Sequence, residues 1–476
     1  MPWPTNPVIF EINTWVWLAE IGCRLDNVPD EVWTAVVPPE ADAVWLMGVW
    51  ERSAVGARIA RERLAGEVPS DDVIGSAYCI RDYVVDDRLG GDAGLAVARD
   101  ALRRRGVKLI LDYVPNHIAP DHPWVKGRPD VLVAGHGNTS TDMQVGDRWF
   151  TLGRDPYFPP WRDVLQLNAF SPSLGAAAAE LMNKIAGQCD GVRCDMAMLF
   201  LNDVFSDSWG RKAGPPLPDP YWPTLIRSVK RDHPDFRFMA EAYWDLEWTL
   251  LQQGFDACYD KRLYDRLAAL DASGVRDHVS ADIGYQQRLV RFIENHDEPR
   301  STLTWTAEQQ RACAIAVATL PGWLLLYEGQ LDGRRVRPPV ELGVRPVEPP
   351  DPSTGAFYRQ LLPAAVAMRA GQWQRCTTGG WSDNTTHERL LSWIWLLPRG
   401  EGPPEAWLVV VNLSRTATQA RVAVNWPAAA GQSVVATDAI TDQTFKRDGD
   451  ELIDPGLYVE LAPWQAHVLH VTAGRR

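Results

Sequence analysis

No stretch of this 476-residue chain approaches the roughly 18 uninterrupted apolar residues of a membrane-spanning helix, so no membrane partner is expected. Cysteine is scarce. The seven residues at positions 23, 79, 189, 194, 258, 313 and 376 are odd in number, scattered, and without paired metal-type spacing. They read as free thiols of a reducing cytoplasm rather than as a disulfide framework or a zinc site. Basic excess is missing too: 48 Lys and Arg stand against 61 Asp and Glu, a net charge of −13. Nucleic acids and anionic membranes reward basic patches, so neither is expected as a partner. The amino terminus has no basic segment leading into an apolar core, because Glu11 and Asn13 interrupt the run over 8–18. That speaks against a secretory leader and for a cytoplasmic protein. Solenoid-type repeats and low-complexity tracts are also lacking.

What is present is a large core and many aromatics. Apolar residues make up 46% and charged residues 23%, and there are 22 tryptophans, whose flat faces suit sugar rings as well as cores. Strand and helix signals alternate from about residue 8 to 371. Strands are predicted at 8–13, 43–47, 107–114, 191–195, 236–241, 255–259, 289–294 and 323–327. Helices are predicted at 92–105, 175–188, 223–231, 260–272, 308–320 and 356–371. Eight such repeats imply a parallel sheet closed into an α/β barrel, a (β/α)8 or TIM barrel. About 75 residues separate His117 from Gly191, so 118–168, rich in Pro, Gly, His and Trp, reads as a small inserted domain after the third strand. From about 373 to 476, short alternating runs between Gly, Pro and Asn turns predict an antiparallel β-sandwich. The barrel would then comprise 1–117 and 169–372.

Four of the strand signals end in carboxylates. They are Leu109-Ile-Leu-Asp112-Tyr-Val-Pro-Asn116-His117, Gly191-Val-Arg193-Cys-Asp195, Phe236-Arg-Phe-Met-Ala-Glu241, and Leu289-Val-Arg-Phe-Ile-Glu294-Asn295-His296-Asp297. A buried parallel strand tolerates charge poorly, and the carboxyl end of a barrel strand is where catalytic groups stand. Side-chain alternation puts Arg193 and Asp195 on one face, an arrangement that keeps a carboxylate ionised as a nucleophile requires. Glu241 lies among Phe, Met, Ala, Tyr and Trp, an apolar setting expected to raise its pKa towards that of a general acid. Two carboxylates in opposite environments are the requirement of retaining glycoside hydrolysis, and a third can steady the oxocarbenium-like transition state.

In order and content these segments resemble the conserved regions of the α-amylase family, glycoside hydrolase family 13. Asp112-Tyr-Val-Pro-Asn116-His117 matches the first region and Gly191-Val-Arg193-Cys-Asp195 the second. Glu241 falls in the third, Asn295-His296-Asp297 is the fourth, and Pro321-Gly322 through Tyr327-Glu328-Gly329 matches the eighth strand. The resemblance implies Asp195 as nucleophile, Glu241 as general acid/base and Asp297 as transition-state stabiliser. It implies Arg193 as partner of Asp195, and His117 and His296 as donors to sugar hydroxyls. Tyr78 would stack under the sugar, and Asp112 would support the site.

Two departures from the family pattern stand out. The Lys-His pair that follows the second-region aspartate in many endo-acting amylases is replaced by Met198-Leu199, which argues against long polymers. Asn116 matches a family calcium ligand, but the partner positions are Leu199 and Gln166. A hard cation wants six to eight oxygens, and no such shell can be assembled here, so no metal or other cofactor is expected. The expected activity is a retaining α-glycosidase on short α-1,4-linked glucose oligosaccharides. The alternatives are a transglycosylase with the same residues and, more remotely, a non-catalytic sugar-binding protein.

Overall fold

The computed structural model describes residues 2–398, 400 and 402–474. Eight strands form a closed barrel: β1 (Val8–Asn13), β2 (Ala43–Met47), β3 (Lys108–Tyr113), β4 (Gly191–Cys194), β5 (Arg237–Ala240), β6 (Ala257–Tyr259), β7 (Leu289–Arg291) and β8 (Trp323–Tyr327). Spatial order follows chain order around the ring, and the strand pairs are parallel. The fold class is the one expected from the alternating pattern. β1, β2, β4, β6, β7 and β8 are buried along their whole length, which is why they read as continuous apolar runs.

By their internal contacts the residues fall into two units. The first takes the chain up to Tyr259 together with Val336–Val347; the second takes Asp260–Arg335 and the chain from Glu348 onward.

In the first unit, β1, β2, β3, β4 and β5 pair in register, so Ile110 sits opposite both Trp45 and Gly191. The helix Gly91–Arg104 buries Leu95, Ala98, Ala101 and Leu102, one stripe at helical spacing, and carries arginines in its last turn. Two excursions leave the strand ends. One contains the antiparallel pair of Trp50–Arg52 with Ile80–Val85, and the segment between them carries the helix Ala54–Arg63 and then Tyr78. Segment 336–347 runs beside this excursion: Glu341 and Val340 carbonyls accept from the amides of Ile74 and Ala77, and Leu342 packs with Ala60, Leu64 and Val73. The other excursion, 118–168, is mostly irregular. Its regular parts are the hairpin Asp142–Val145 with Arg148–Thr151, which turns through Gly146 at φ +64°, and the pairing of Leu165–Gln166 with His117–Ile118.

In the second unit, β7 is shorter than the apolar run predicts, because Phe292–Glu294 continue without strand pairing. The single helix expected at 260–272 is instead two, Lys261–Ala268 and Ala272–His278, separated by Leu270 at φ +53°. A positive φ at a branched, non-glycine residue is incompatible with helix continuation. The helix Ala307–Thr319 opens on a capping box between Thr306 and Gln309. Beyond Pro352–Met368 come a six-stranded and a three-stranded antiparallel sheet, with Leu408, Val410, Ala420, Val422, Leu461 and Leu469 buried in one core. Trp393 and Trp395 of the larger sheet donate their indole N–H groups to Thr319 Oγ1 (3.2 Å) and Thr319 O (2.8 Å), fixing the sheet to the helix.

Asp260 is fully enclosed in this unit, bonded to His278 (2.8 Å) and Arg291 Nε (3.1 Å). Burial pushes its carboxyl pKa up, but the contacts with His278 and Arg291 outweigh burial and hold it below the ordinary value. Removing one partner of a buried pair leaves the other charge uncompensated, so Asp260→Ala is expected to cost about 3–5 kcal/mol in chemical denaturation. Since the folded pKa is depressed, the stabilisation is present above about pH 3.9 and is lost as pH falls through the lower folded value. An unchanged denaturation midpoint in Asp260→Ala would remove this pair from the account of the fold.

Candidate active site

In the first unit the register of β4 against β5 sets the site. Arg193 stands opposite Met239 and Cys194 opposite Ala240, so the next residues, Asp195 and Glu241, leave adjacent strands at the same level. The Asp195 amide donates to Tyr113 O (2.8 Å) and the Glu241 amide to Cys194 O (3.0 Å), carrying the ladder past the strand ends. Arg193, with no exposed side-chain surface, joins the two carboxylates: Nη1 lies 2.6 Å from Asp195 Oδ1 and Nη2 lies 2.8 Å from Glu241 Oε1. Its guanidinium carbon is 5.2 Å from the Tyr78 ring, 5.4 Å from Trp45 and 5.6 Å from Tyr259. Burial opposes the charge, but Glu241, Tyr78, Tyr259 and Asp195 together raise the arginine's pKa above its ordinary value.

Glu241 is only 2% exposed, yet its setting is not the apolar one its neighbours in sequence suggest. Besides Arg193, the Tyr243 hydroxyl donates to Oε1 (2.8 Å) and the Met196 amide to Oε2 (2.6 Å). Met196 reaches this position in a left-handed conformation, φ +43°, immediately after Asp195. Neither donor is visible in the strand pattern: one is a backbone group on a turn, the other an aromatic in the following loop.

Tyr78 is half-buried, and its carbonyl lies 3.2 Å from His117 Nε2. His117 is buried, with Nδ1 3.3 Å from Asn116 Nδ2 and its ring 5.2 Å from Trp161. Asp112 accepts from the Trp45 indole (3.2 Å) and the Gly48 amide (2.7 Å), a support for β2 rather than a reactive group. Met198 and Leu199 lie buried in the short turn Ala197–Phe200. At the Asn116 position three oxygens, Asn116 O, Asn116 Oδ1 and Leu167 O, converge within 3.0 Å of the Gln166 amide nitrogen. A donor thus fills the place a cation would take, and the residues do not fit a calcium ion. Among the described residues no group of three or more His, Cys, Asp or Glu is arranged to hold a metal.

In the second unit the fourth expected segment leaves β7. His296 is buried and its Nε2 lies 2.9 Å from Asp297 Oδ2, while the Asp297 side chain remains 39% exposed. Asn295 Oδ1 accepts from the amides of Asp297 (2.9 Å) and Glu298 (2.8 Å), which fixes the turn that presents Asp297. Beneath it, Glu294 receives Arg300 Nη1 and the Ser301 amide, each at 2.7 Å. Arg300 therefore belongs to a buried support pair.

No family model matches the chain. In sequence it is 25% identical over 270 residues to the α-amylase MalA of Haloarcula japonica, a match covering 55% of this chain and 37% of that protein. It is 22% identical over 251 residues to the intracellular maltogenic amylase of Bacillus subtilis, covering 50% of this chain and 40% of the relative. The chain is similar in sequence to these amylases over about half of its length. It spans about two fifths of the length of these curated relatives. Among solved structures it resembles the maltogenic α-amylase AmyB of Thermotoga neapolitana (TM-score 0.70, 16% identity, 98% of this chain and 99% of that one). It also resembles the Geobacillus thermoleovorans α-amylase complexed with acarbose (TM-score 0.71, 15% identity, 99% of both chains). At these identities the likeness is one of fold.

The inserted segment distributes its aromatics unevenly. Trp161 packs beside His117 and Trp124 beside His122. Trp149 lies in the Arg148–Thr151 strand of the hairpin, and Tyr157 is 69% exposed, edge-on to Trp244 at 4.9 Å. Burial lowers the His117 pKa to about 4. An NMR titration should therefore find His117 neutral from neutrality down to about pH 5, about a unit and a half below the ordinary midpoint near 6.5. A midpoint at 6 or above would show the ring to be solvated.

Proposed function

We propose that the chain is a retaining α-glycosidase that cleaves short α-1,4-linked glucose oligosaccharides by double displacement. The observation that carries this reading is the shared guanidinium: Arg193 binds Asp195 and Glu241 at once, on neighbouring strand ends. Asp195, ionised and held by Arg193, attacks the anomeric carbon. Glu241 protonates the leaving oxygen and then deprotonates the incoming water. Asp297, oriented by His296, stabilises the positive charge that develops on the sugar ring. Tyr78 stacks on that sugar, and His117, a neutral imidazole whose Nε2–H is given to the Tyr78 carbonyl, holds Tyr78 in place. The buried Met198 and Leu199 remove polar contacts on the leaving-group side, which favours short substrates. No helix among the described residues is long and apolar enough to cross a membrane. Seven free thiols, five of them buried, suit a reducing cytoplasm, and no nucleic-acid or membrane partner is assigned.

Asp195→Asn and Glu241→Gln are each expected to lower turnover of maltooligosaccharides by about 10²–10⁴-fold, the range of a lost proton-transfer or nucleophilic group. Proton NMR of the first product should show the α-anomer; a β-anomer or undiminished turnover would overturn the assignment. A product profile from maltose through maltoheptaose separates hydrolysis from transfer, since only transfer yields products longer than the substrate.

We further propose that no structural calcium sits at Asn116, on the strength of the Gln166 amide occupying that place. Treatment with a strong chelator should leave the melting temperature and turnover unchanged. A fall in melting temperature restored by added calcium would refute this.

A further inference from the structure

In the second unit two aromatic side chains stand open to solvent. Trp381 is 39% exposed and Tyr458 40%, and no other aromatic among that unit's described residues is as open. Far apart in sequence, they lie side by side, ring centroids 6.0 Å apart and planes inclined at 62°. The three-stranded sheet explains how they meet. Thr377–Gly379, Thr418–Ala423 and Leu457–Leu461 pair so that Gly379 stands opposite Arg421, and Arg421 opposite Tyr458. Leu457, Val459 and Leu461 alternate with Tyr458 and enter the core, so Tyr458 occupies the outer face. Its hydroxyl donates to Glu460 Oε2 (2.9 Å). Trp381 is held beside it by a tight turn. The backbone amides of Trp381 and Asn384 donate to each other's carbonyl oxygens (3.1 and 3.0 Å). The Asn384 side chain donates to Gln419 Oε1 (2.9 Å), which pins the turn to the middle strand. A Cβ at Gly380 would come within 2.5 Å of Asn384 O, so the turn requires glycine there.

The surround of these rings narrows what can cover them. Ser382 and Asp383 are exposed in the turn that carries Trp381, and Glu460 is exposed beside Tyr458. The cation near the Tyr458 ring, Arg421 at 5.8 Å, is committed to Glu451 (2.9 Å) and to Gly456 O (3.1 Å). An anionic ligand would meet these carboxylates without a cation to offset them. An apolar helix would cover the carboxylates and give them no partner. A sugar meets both demands: its C–H face lies on an aromatic ring, and its hydroxyl protons go to the carboxylates at the rim. Two rings inclined to each other suit successive units of a curved chain, as an α-linked glucan is.

We propose that Trp381 and Tyr458 form a surface saccharide site that stacks two successive units of an α-linked glucan. The choice of an α-linked glucan rests on the glycosidase reading; the stacking of a sugar does not. The probe is maltoheptaose, added to the full-length Asp195→Asn protein so that the ligand persists. The reporter is the Trp381 indole N–H resonance of ¹⁵N-tryptophan-labelled protein, assigned by its absence in Trp381→Ala. This resonance is expected to shift saturably with maltoheptaose. Adding Tyr458→Thr, which suits a strand but removes the ring, should weaken that binding by about tenfold. Tyr458→Phe, which keeps the ring, should bind as the parent does. In the otherwise wild-type chain Tyr458→Thr should leave maltotriose turnover unaltered. Three results would overturn the site: an unmoved resonance, equal binding with Thr and Phe at 458, or a shift that follows protein concentration rather than sugar, which would assign the face to a second copy. Turnover of maltoheptaose by the wild-type protein judges the glycosidase reading separately, so the two failures are distinct.

Discussion

Arg193 carries a full positive charge where no solvent reaches it, and desolvating an ion of that size costs several kcal/mol unless anions meet it with good geometry. Asp195 and Glu241 meet it, one on each terminal nitrogen, and the rings of Trp45, Tyr78 and Tyr259 surround it. Much of the first unit is arranged so that this can happen. β4 and β5 must be parallel and in the observed register for both carboxylates to lie at one level. Trp45 must project inward from β2, held there by Asp112 on β3. Replacing any of these groups leaves a buried charge exposed to its own desolvation, so the site and the strand layer are coupled energetically.

The same logic operates in the second unit with different residues. Glu294 and Arg300 form a pair with almost no exposed surface, and Ser301 supplies two further donors to Glu294 through its amide and hydroxyl. This pair lies under the turn that carries His296 and Asp297. Asp297 itself is left partly exposed, as a group meant to meet a ligand must be. Burial of charge at a strand end therefore has two meanings here. Where the carboxylate is saturated by donors and sealed, as Asp112 and Glu294 are, it is scaffold. Where surface remains open, as at Asp297, it is a candidate for chemistry.

The barrel was legible because its strands are buried along their length and so appear as apolar runs, and two of the four carboxylate-tipped endings, Asp195 and Glu241, meet on Arg193. The pattern overstated strand length wherever an apolar run outlasts its pairing, as at Phe292–Glu294, since hydrophobicity records burial and not hydrogen bonding. It missed the break at Leu270, whose positive φ no residue preference announces. The environment of Glu241 was misread for a related reason. Its neighbours in sequence are apolar, but its donors come from a guanidinium on the adjacent strand, from a backbone amide in a left-handed turn and from Tyr243 two residues on. Polarity at a strand end is decided across strands, and a one-dimensional pattern does not register it.

The donor set around Glu241 also bears on the proposed two-step reaction. A retaining enzyme needs this residue protonated when the glycosidic bond breaks and ionised when water attacks. Before the first step Asp195 is an anion that shares Arg193, so the guanidinium's pull on Glu241 is divided and a like charge stands nearby. Both effects favour the protonated acid. Once Asp195 is esterified by the sugar, its charge is gone and Arg193 acts on Glu241 alone, joined by Tyr243 and the Met196 amide. Both changes favour the carboxylate, which is the form that takes the proton from water. On the proposed reading, one buried guanidinium would couple the covalent state of Asp195 to the protonation state of Glu241.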